Sequence, residues 1–320
     1  MKIGSNRKGE SKMGKTAFIF PGQGAQYVGM AKEFYEQIPV SRKVFELASE
    51  ASGLDIPALC FEENEKIHIT EYTQICMLTA EAAILAALRE KGYRPDVTAG
   101  LSLGEYGAIM ASDVLEWKDA FTLVRKRGMY MQKAVPTGGA MAAVLGLDAE
   151  KIEEICRQTD GIVSVANYNC PGQIVITGQE AAVGVAGEAC KEAGAKRVVP
   201  LNVSGPFHSE LLIGAGEQLG EALKGVEIKE FSIPYVSNVI ADYVRETSAV
   251  KDLLRLQVYS SVRWQQSVER MIANGVDEFV EIGPGRTLSG FMRKINRDVK
   301  VSNIDKMEDF EKFVAEHPLS

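Results

Sequence analysis

The chain has 320 residues, of which 46% are hydrophobic and 25% charged, with 30 glycines and 11 prolines. This excludes a disordered or fibrous chain and a minimal binding module, and leaves room for one large domain with a subdomain, or two domains, around a sheltered site. The net charge of −7 offers no general positive field for nucleic acid or anionic lipid, so neither is expected as a partner and any anionic substrate must be held by local charges.

Residues 1–14, MKIGSNRKGESKMG, are basic and polar, with no apolar run and cleavage site of a secretory signal. They are expected to form a disordered extension, with Met13 a candidate start. TAFIF at Thr16–Phe20 predicts a buried strand, PGQGAQ a glycine turn, and a helix follows from about Tyr27. An amphipathic helix is expected from Tyr72 to about Lys91, ended by Gly92. Its apolar stretch ICMLTAEAAILAAL carries Glu81 and is too short to span a bilayer. PDVTAG then leads into GLSLGEYGAIMAS, again a strand, sharp turn and helix, and this alternation favours a parallel α/β sheet.

Residues 139–204 read differently. MAAVLGL, a helix Asp148–Gln158, IVSVAN, QIVITG, a helix Gln179–Ala193 and KRVVPLNVS give the order β-α-β-β-α-β, the pattern of a ferredoxin-like subdomain inserted in the larger α/β body of 15–138 and 205–320. Beyond it, helices are expected over Glu210–Lys224, from Ala249, over Trp264–Asn274 and after GPGRTL, with strands at IPYVSN and DEFVEIG. The closing EHPLS reads as a frayed tail. Cys60, Cys76, Cys156, Cys170 and Cys190 are odd in number and far apart, with no CxxC or Cys/His pairing. Neither a disulfide framework nor a metal site is expected, and the thiols suit a reducing compartment, so a soluble, cytoplasmic protein is expected.

Gly100-Leu101-Ser102-Leu103-Gly104 fits GxSxG between strand and helix, where a serine sits on a strained elbow. The bland alternative is a structural turn, but the placement favours Ser102 as a nucleophile. A serine needs a base, most often histidine, and there are three histidines. His68 lies in a polar surface segment and His317 near the end of the chain. His208, in the Gly-Pro turn of VSGPFHS, is the candidate by elimination, against the alternative of a helix cap. Oxyanion donors would be backbone amides: that of Leu103, following the nucleophile, and that of Gln23, brought alongside by the glycine loop. That loop lacks the spacing of a nucleotide cradle. In LVRKRGMYMQ, Arg125, Lys126 and Arg127 are either a solvated helix end, just before Gly128, or include one arginine pointing inward onto a substrate carboxylate. Periodicity does not choose among them.

Taken together and in order, PGQGAQ, GLSLGEY, RGMYMQ, NYNCPGQIVITG, GPFHS and VEIGPG resemble the malonyl-CoA:acyl carrier protein transacylase family, from about Lys15 to about Ile304. The resemblance implies an α/β-hydrolase-like body with a parallel sheet and a ferredoxin-like insertion. It implies Ser102 as nucleophile, His208 as base, Arg127 as ligand of the malonyl carboxylate and the amides of Gln23 and Leu103 as oxyanion donors. It further implies Gln257 as the residue whose main-chain carbonyl orients the histidine, Asn169 near the site, and Phe207 as the malonyl-selecting form of its motif. Leu101 departs from the family's common histidine. The substrates implied are malonyl-CoA and holo acyl carrier protein, with no bound cofactor and a monomeric enzyme. Arg125, Lys126, Lys133, Lys191, Lys196 and Arg197 are candidates for docking the acidic carrier. A serine hydrolase or thioesterase, a free-standing acyltransferase of a polyketide synthase and a catalytically idle docking module are the competing readings.

Overall fold

In the computed structural model, which describes residues 14–319, the alternation of strands and helices builds two sheets. The larger contains β1 (Lys15–Phe20), β2 (Val97–Gly100), β7 (Tyr235–Ser237), β8 (Asp242–Tyr243), β9 (Val276–Ile282) and β10 (Lys300–Ile304), in the order β10-β9-β1-β2-β7-β8. All neighbours run parallel except β8, which returns antiparallel on β7. Both faces are covered, which is why β1 is a continuous apolar run. Phe18 and Phe20 pack toward the helices Pro39–Ser52, Thr70–Glu90 and Trp117–Ala134, and Ala17 and Ile19 toward Trp264–Ala273 and Thr287–Ile295.

The smaller sheet contains β3 (Gly139–Leu145), β4 (Val163–Cys170), β5 (Gln173–Gln179) and β6 (Arg197–Pro200), antiparallel throughout in the order β4-β5-β3-β6. With helices Ala149–Gln158 and Glu180–Glu192 it makes the ferredoxin-like βαββαβ unit. Its alternation is strict. Ala142, Val144, Ile174 and Ile176 face the two helices, whereas Met141, Ala143 and Val175 face the body. Three hydrogen bonds tie β4 of the unit to residues 261–262 of the body: Tyr168 N donates to Val262 O at 2.9 Å, Val262 N to Ala166 O at 2.8 Å and Ser261 Oγ to Val165 O at 2.6 Å.

Several elements differ from the sequence-based expectation. The reading of residues 1–14, Met13 included, falls outside the described residues apart from Gly14. The helix expected from Tyr27 begins at Lys32, after a left-handed Ala31. The helix Thr70–Glu90 is not amphipathic: every residue from Thr73 to Leu88 is buried, because it runs through the middle of the body with neighbours all round. Of the closing EHPLS, expected to fray, Glu316 and His317 are held, Pro318 and Leu319 are exposed, and Ser320 lies outside the described residues. Strand β10 and helix Met307–Glu316 complete the sheet edge, and His317 is anchored by Glu278 Oε1 at 2.9 Å, by stacking on Phe313 and by accepting from Tyr93 Oη at 2.6 Å on its carbonyl. None of the helices described is long and apolar enough to cross a membrane. The five cysteines are buried and unpaired.

Candidate active site

Ligand crevices in parallel sheets open at the carboxyl ends of the strands, and four strand ends converge here: β1 into the Pro21–Gln26 loop, β2 into the elbow, β7 into Asn238 and β9 into Gly283. The elbow needs both its glycines. A Cβ on Gly100 would meet the Gly104 backbone, and one on Gly104 would meet Phe20 O. Ser102 is left-handed at φ 55° and His208 at φ 59°, so both sit in strained backbone held by their surroundings. Asn238 supplies much of that restraint: its Nδ2 donates to Gly100 O and its Oδ1 accepts from Ser102 N, each at 2.6 Å.

Ser102 Oγ lies 2.7 Å from His208 Nε2. On the other side of the ring, His208 Nδ1 meets two carbonyls, Gln257 O at 2.9 Å and Ser260 O at 3.1 Å. Carbonyls only accept, so Nδ1 carries the proton and Nε2 is the acceptor facing the serine hydroxyl. Burial, and after it the Arg127 charge, push His208 down to about 4, against the two carbonyls, which favour the charged ring. The ring is therefore neutral at pH 7 and able to take a proton.

Arg127 decides among the three basic residues at 125–127. It is 1% exposed, whereas Lys126 is exposed and Arg125 is held by Glu71 at 3.0 Å. The helix does not stop at Gly128 but runs on to Ala134; a Cβ on Gly128 would sit 2.9 Å from Glu71 Cα, so the glycine permits a close crossing with the helix Thr70–Glu90. At that crossing Arg127 Nη1 donates to Gln74 Oε1 at 2.7 Å, and its Nη2 to Gln257 Oε1 at 3.0 Å and to Ser102 Oγ at 3.2 Å. Its Nε has no partner among the described residues. Burial lowers its pKa, opposed by Tyr106 and Glu105, and it remains a cation.

These groups line a cleft of about 260 Å³ between the two sheets. Gln23 and Leu103 line it too, and neither backbone amide donates to another group of the described residues, whereas the Ser102 amide is occupied by Asn238. The Gln23 side chain is held by Thr70 Oγ1 at 3.0 Å, which also meets Ser204 Oγ. Phe207 and Asn169 line the cleft, both buried to 7% exposure, and Asn169 Oδ1 has no partner among the described residues. Leu101 packs over Gly22, whose Cβ would stand 2.8 Å from Leu101 Cδ2.

All eight sequence-predicted positions thus meet in one cleft or support it. The sequence reading missed the polar groups behind them. Gln74 lay hidden in an apolar helix, where a lone amide among small apolar residues was the available signal. Asn238 follows a short strand with no motif to mark it. Glu105, next to the elbow glycine, is fully buried; burial pushes its carboxyl up to about 7, against hydrogen bonds from Asn238, Gln257 and Ser237 and the Arg127 charge. Of the docking candidates, Arg125 and Lys191 are paired with Glu71 and Glu188, whereas Lys126, Lys133, Lys196 and Arg197 are exposed.

Residues 17–308 match the acyl transferase domain family, and the chain belongs to that family of acyltransferases. More particularly, it is 47% identical over 304 residues to the malonyl CoA-acyl carrier protein transacylase of Bacillus subtilis strain 168, covering 93% of this chain and 96% of that one. Among solved structures it resembles the malonyl CoA-acyl carrier protein transacylase of Clostridium perfringens ATCC 13124, with a TM-score of 0.91, 43% identity and coverage of 94% and 96%. It equally resembles a malonyl-transacylase in complex with its type II PKS acyl-carrier protein, with a TM-score of 0.92, 39% identity and coverage of 95% and 100%. The likeness carried by the six sequence motifs is thus to the relatives that the whole chain matches.

Proposed function

We propose that the protein transfers the malonyl group from malonyl-CoA to the phosphopantetheine thiol of acyl carrier protein, through a malonyl ester on Ser102, and so supplies fatty acid synthesis. The body of 15–138 and 205–320 carries the chemistry, and the insertion of 139–204 forms one wall of the cleft. The observation that carries the reading is Arg127. A buried guanidinium 3.2 Å from the candidate nucleophile, with an N–H lacking an acceptor among the described residues, suits an acyl group that ends in a carboxylate, whereas a lipase-like hydrolase wants an apolar pocket.

In the first half-reaction, Ser102 Oγ attacks the thioester carbon as neutral His208 Nε2 takes its proton. The amides of Leu103 and Gln23 hold the oxyanion, a role that the occupied amide of Ser102 leaves to them. The carbon–sulfur bond breaks, and the CoA thiolate leaves with the proton from His208. Arg127 meanwhile forks onto the malonyl carboxylate, and this removes part of what depresses His208, because a neutralised guanidinium repels the imidazolium less. In the second half-reaction the carrier thiol gives its proton to His208 and attacks the ester carbon, and Ser102 recovers its proton. No step calls for a metal or bound cofactor.

The likeness to a malonyl-transacylase bound to a type II PKS carrier supports a second reading, in which the acceptor is a polyketide carrier and the chemistry is the same. The test of the shared reading is the intact mass after incubation with malonyl-CoA in the absence of carrier. A malonyl adduct is expected on the wild type and none on Ser102→Ala. CoA release without an adduct would point to a hydrolase, and neither signal to a docking module. Loading of the two carrier types then separates the acceptors.

A further inference from the structure

We infer that Glu105 is a positioning residue for acyl specificity, holding the side-chain amide of Gln257 in one orientation and through it the aim of Arg127 at the carboxylate of the acyl group. The inference rests on the malonyl-transfer reading and adds to it the group that keeps the carboxylate ligand aligned.

Gln257 is the hub of the buried cluster. Its main-chain carbonyl accepts a hydrogen bond from His208 Nδ1, and its side chain joins three further groups. Nε2 donates to Glu105 Oε2 at 2.7 Å and to Ser102 O at 2.9 Å, while Oε1 accepts from Arg127 Nη2 at 3.0 Å. Two acceptors therefore stand on one side of the amide and a donor on the other. A flipped amide would put its oxygen against two oxygens and its NH2 against a guanidinium, which can only donate. Glu105 is the stronger of the two acceptors because it can carry charge. It is in turn held, since the same Oε2 accepts from Asn238 N at 3.1 Å, and Asn238 pins the elbow. The carboxylate lies in the first turn of the helix Gly104–Ala111 and is wholly buried, so no solvent competes for its bonds.

Arg127 is anchored from two sides, by Gln74 and by Gln257. Releasing the second anchor lets Nη2 swing from the acyl end of the cleft, which matters only to an acyl group with a carboxylate to present. The histidine is insulated from this loss. Its partner is the main-chain carbonyl of Gln257, fixed by the helix Val250–Gln257 rather than by the amide. Loosening the amide should therefore alter selectivity while leaving the serine and histidine able to react.

The test compares acylation by malonyl-CoA and acetyl-CoA in Glu105→Asp and Glu105→Gln, with melting temperatures as a check on folding. Asp keeps the carboxyl group but withdraws it by one carbon; Gln keeps the reach, and the Asn238 N–H turns its oxygen toward Gln257. In Glu105→Asp the malonyl-to-acetyl ratio of kcat/KM is expected to fall about tenfold or more with the acetyl rate within about threefold, and in Glu105→Gln to stay within about threefold of wild type. Added to Gln257→Met, Glu105→Asp should lower the ratio no further, since both cut one link. Equal loss with both acyl groups, an unchanged ratio in Glu105→Asp, a fall as large in Glu105→Gln, or additive losses would each overturn the inference. Should Glu105→Asp not fold, Gln257→Met reads the same link, and an unchanged ratio there overturns it. A wild type that takes acetyl as readily as malonyl would overturn the malonyl reading itself, before any variant is made.

Discussion

The two sheets solve opposite problems. In the larger one both faces are packed, and the polar groups at its carboxyl edge satisfy one another: Asn238 holds Ser102, Gln257 holds Arg127, and two main-chain carbonyls hold His208. In the smaller one a single face is covered by helices, and the other presents Met141, Ala143 and Val175 to the cleft, with Asn169 Oδ1 on β4 lacking a partner among the described residues. The body thus holds its serine and histidine by its own hydrogen bonds, while the face opposite is mostly apolar. Preorganisation serves the reacting atoms, which tolerate little displacement.

That contrast can be broken at its strongest point by Arg127→Ala. Transfer of malonyl should fall about a hundredfold or more in kcat/KM, as expected for truncating one partner of a buried charged pair, while acetyl transfer persists or rises. Equal losses for both acyl groups would remove the carboxylate role. Next in size is a pH effect at His208. The free enzyme's acylation rate should hold down to about pH 4, where an unshifted histidine near 6.5 would already have lost about thirtyfold at pH 5. The sign follows from the depressed value: the ring stays neutral, and so a base, until pH falls through it. A limb near 6.5 in kcat/KM for acylation, which reports the free enzyme, would show that the ring is not shielded as the geometry has it. The smallest effect is expected across the cleft. Asn169→Ala should raise KM about three- to tenfold with kcat nearly unchanged, as for one lost hydrogen bond to a substrate, and a fall in kcat alone would blur the division between the two sheets.

Much of this was legible in the sequence where the signal was local. The glycines of the elbow and the lone loop histidine are each contained in a few consecutive residues, and the order β-α-β-β-α-β in one unbroken segment. What escaped depends on contacts between distant segments. Arg127 could not be told from Arg125 by periodicity, since its choice is made by a crossing with a helix more than fifty residues earlier. Asn238 acts on a turn 136 residues before it. The helix Thr70–Glu90 was misread as amphipathic because a chain cannot announce how many neighbours will surround it, and its small residues are there to admit them. The C-terminal strand and helix were passed over because β10 is short and edge-lying, and it is the anchoring of His317 beside Glu278 that reveals its order.

Gly128 has a consequence that reaches past the crossing it permits. The reach of the guanidinium is set by how nearly two helix backbones touch, and so by a missing side chain one residue away from it. A single methyl there, in contact with no reacting atom, would part the helices and carry the positive charge away from the serine. Under the malonyl-transfer reading, selectivity for a three-carbon diacid would thus depend on how closely two helices can approach.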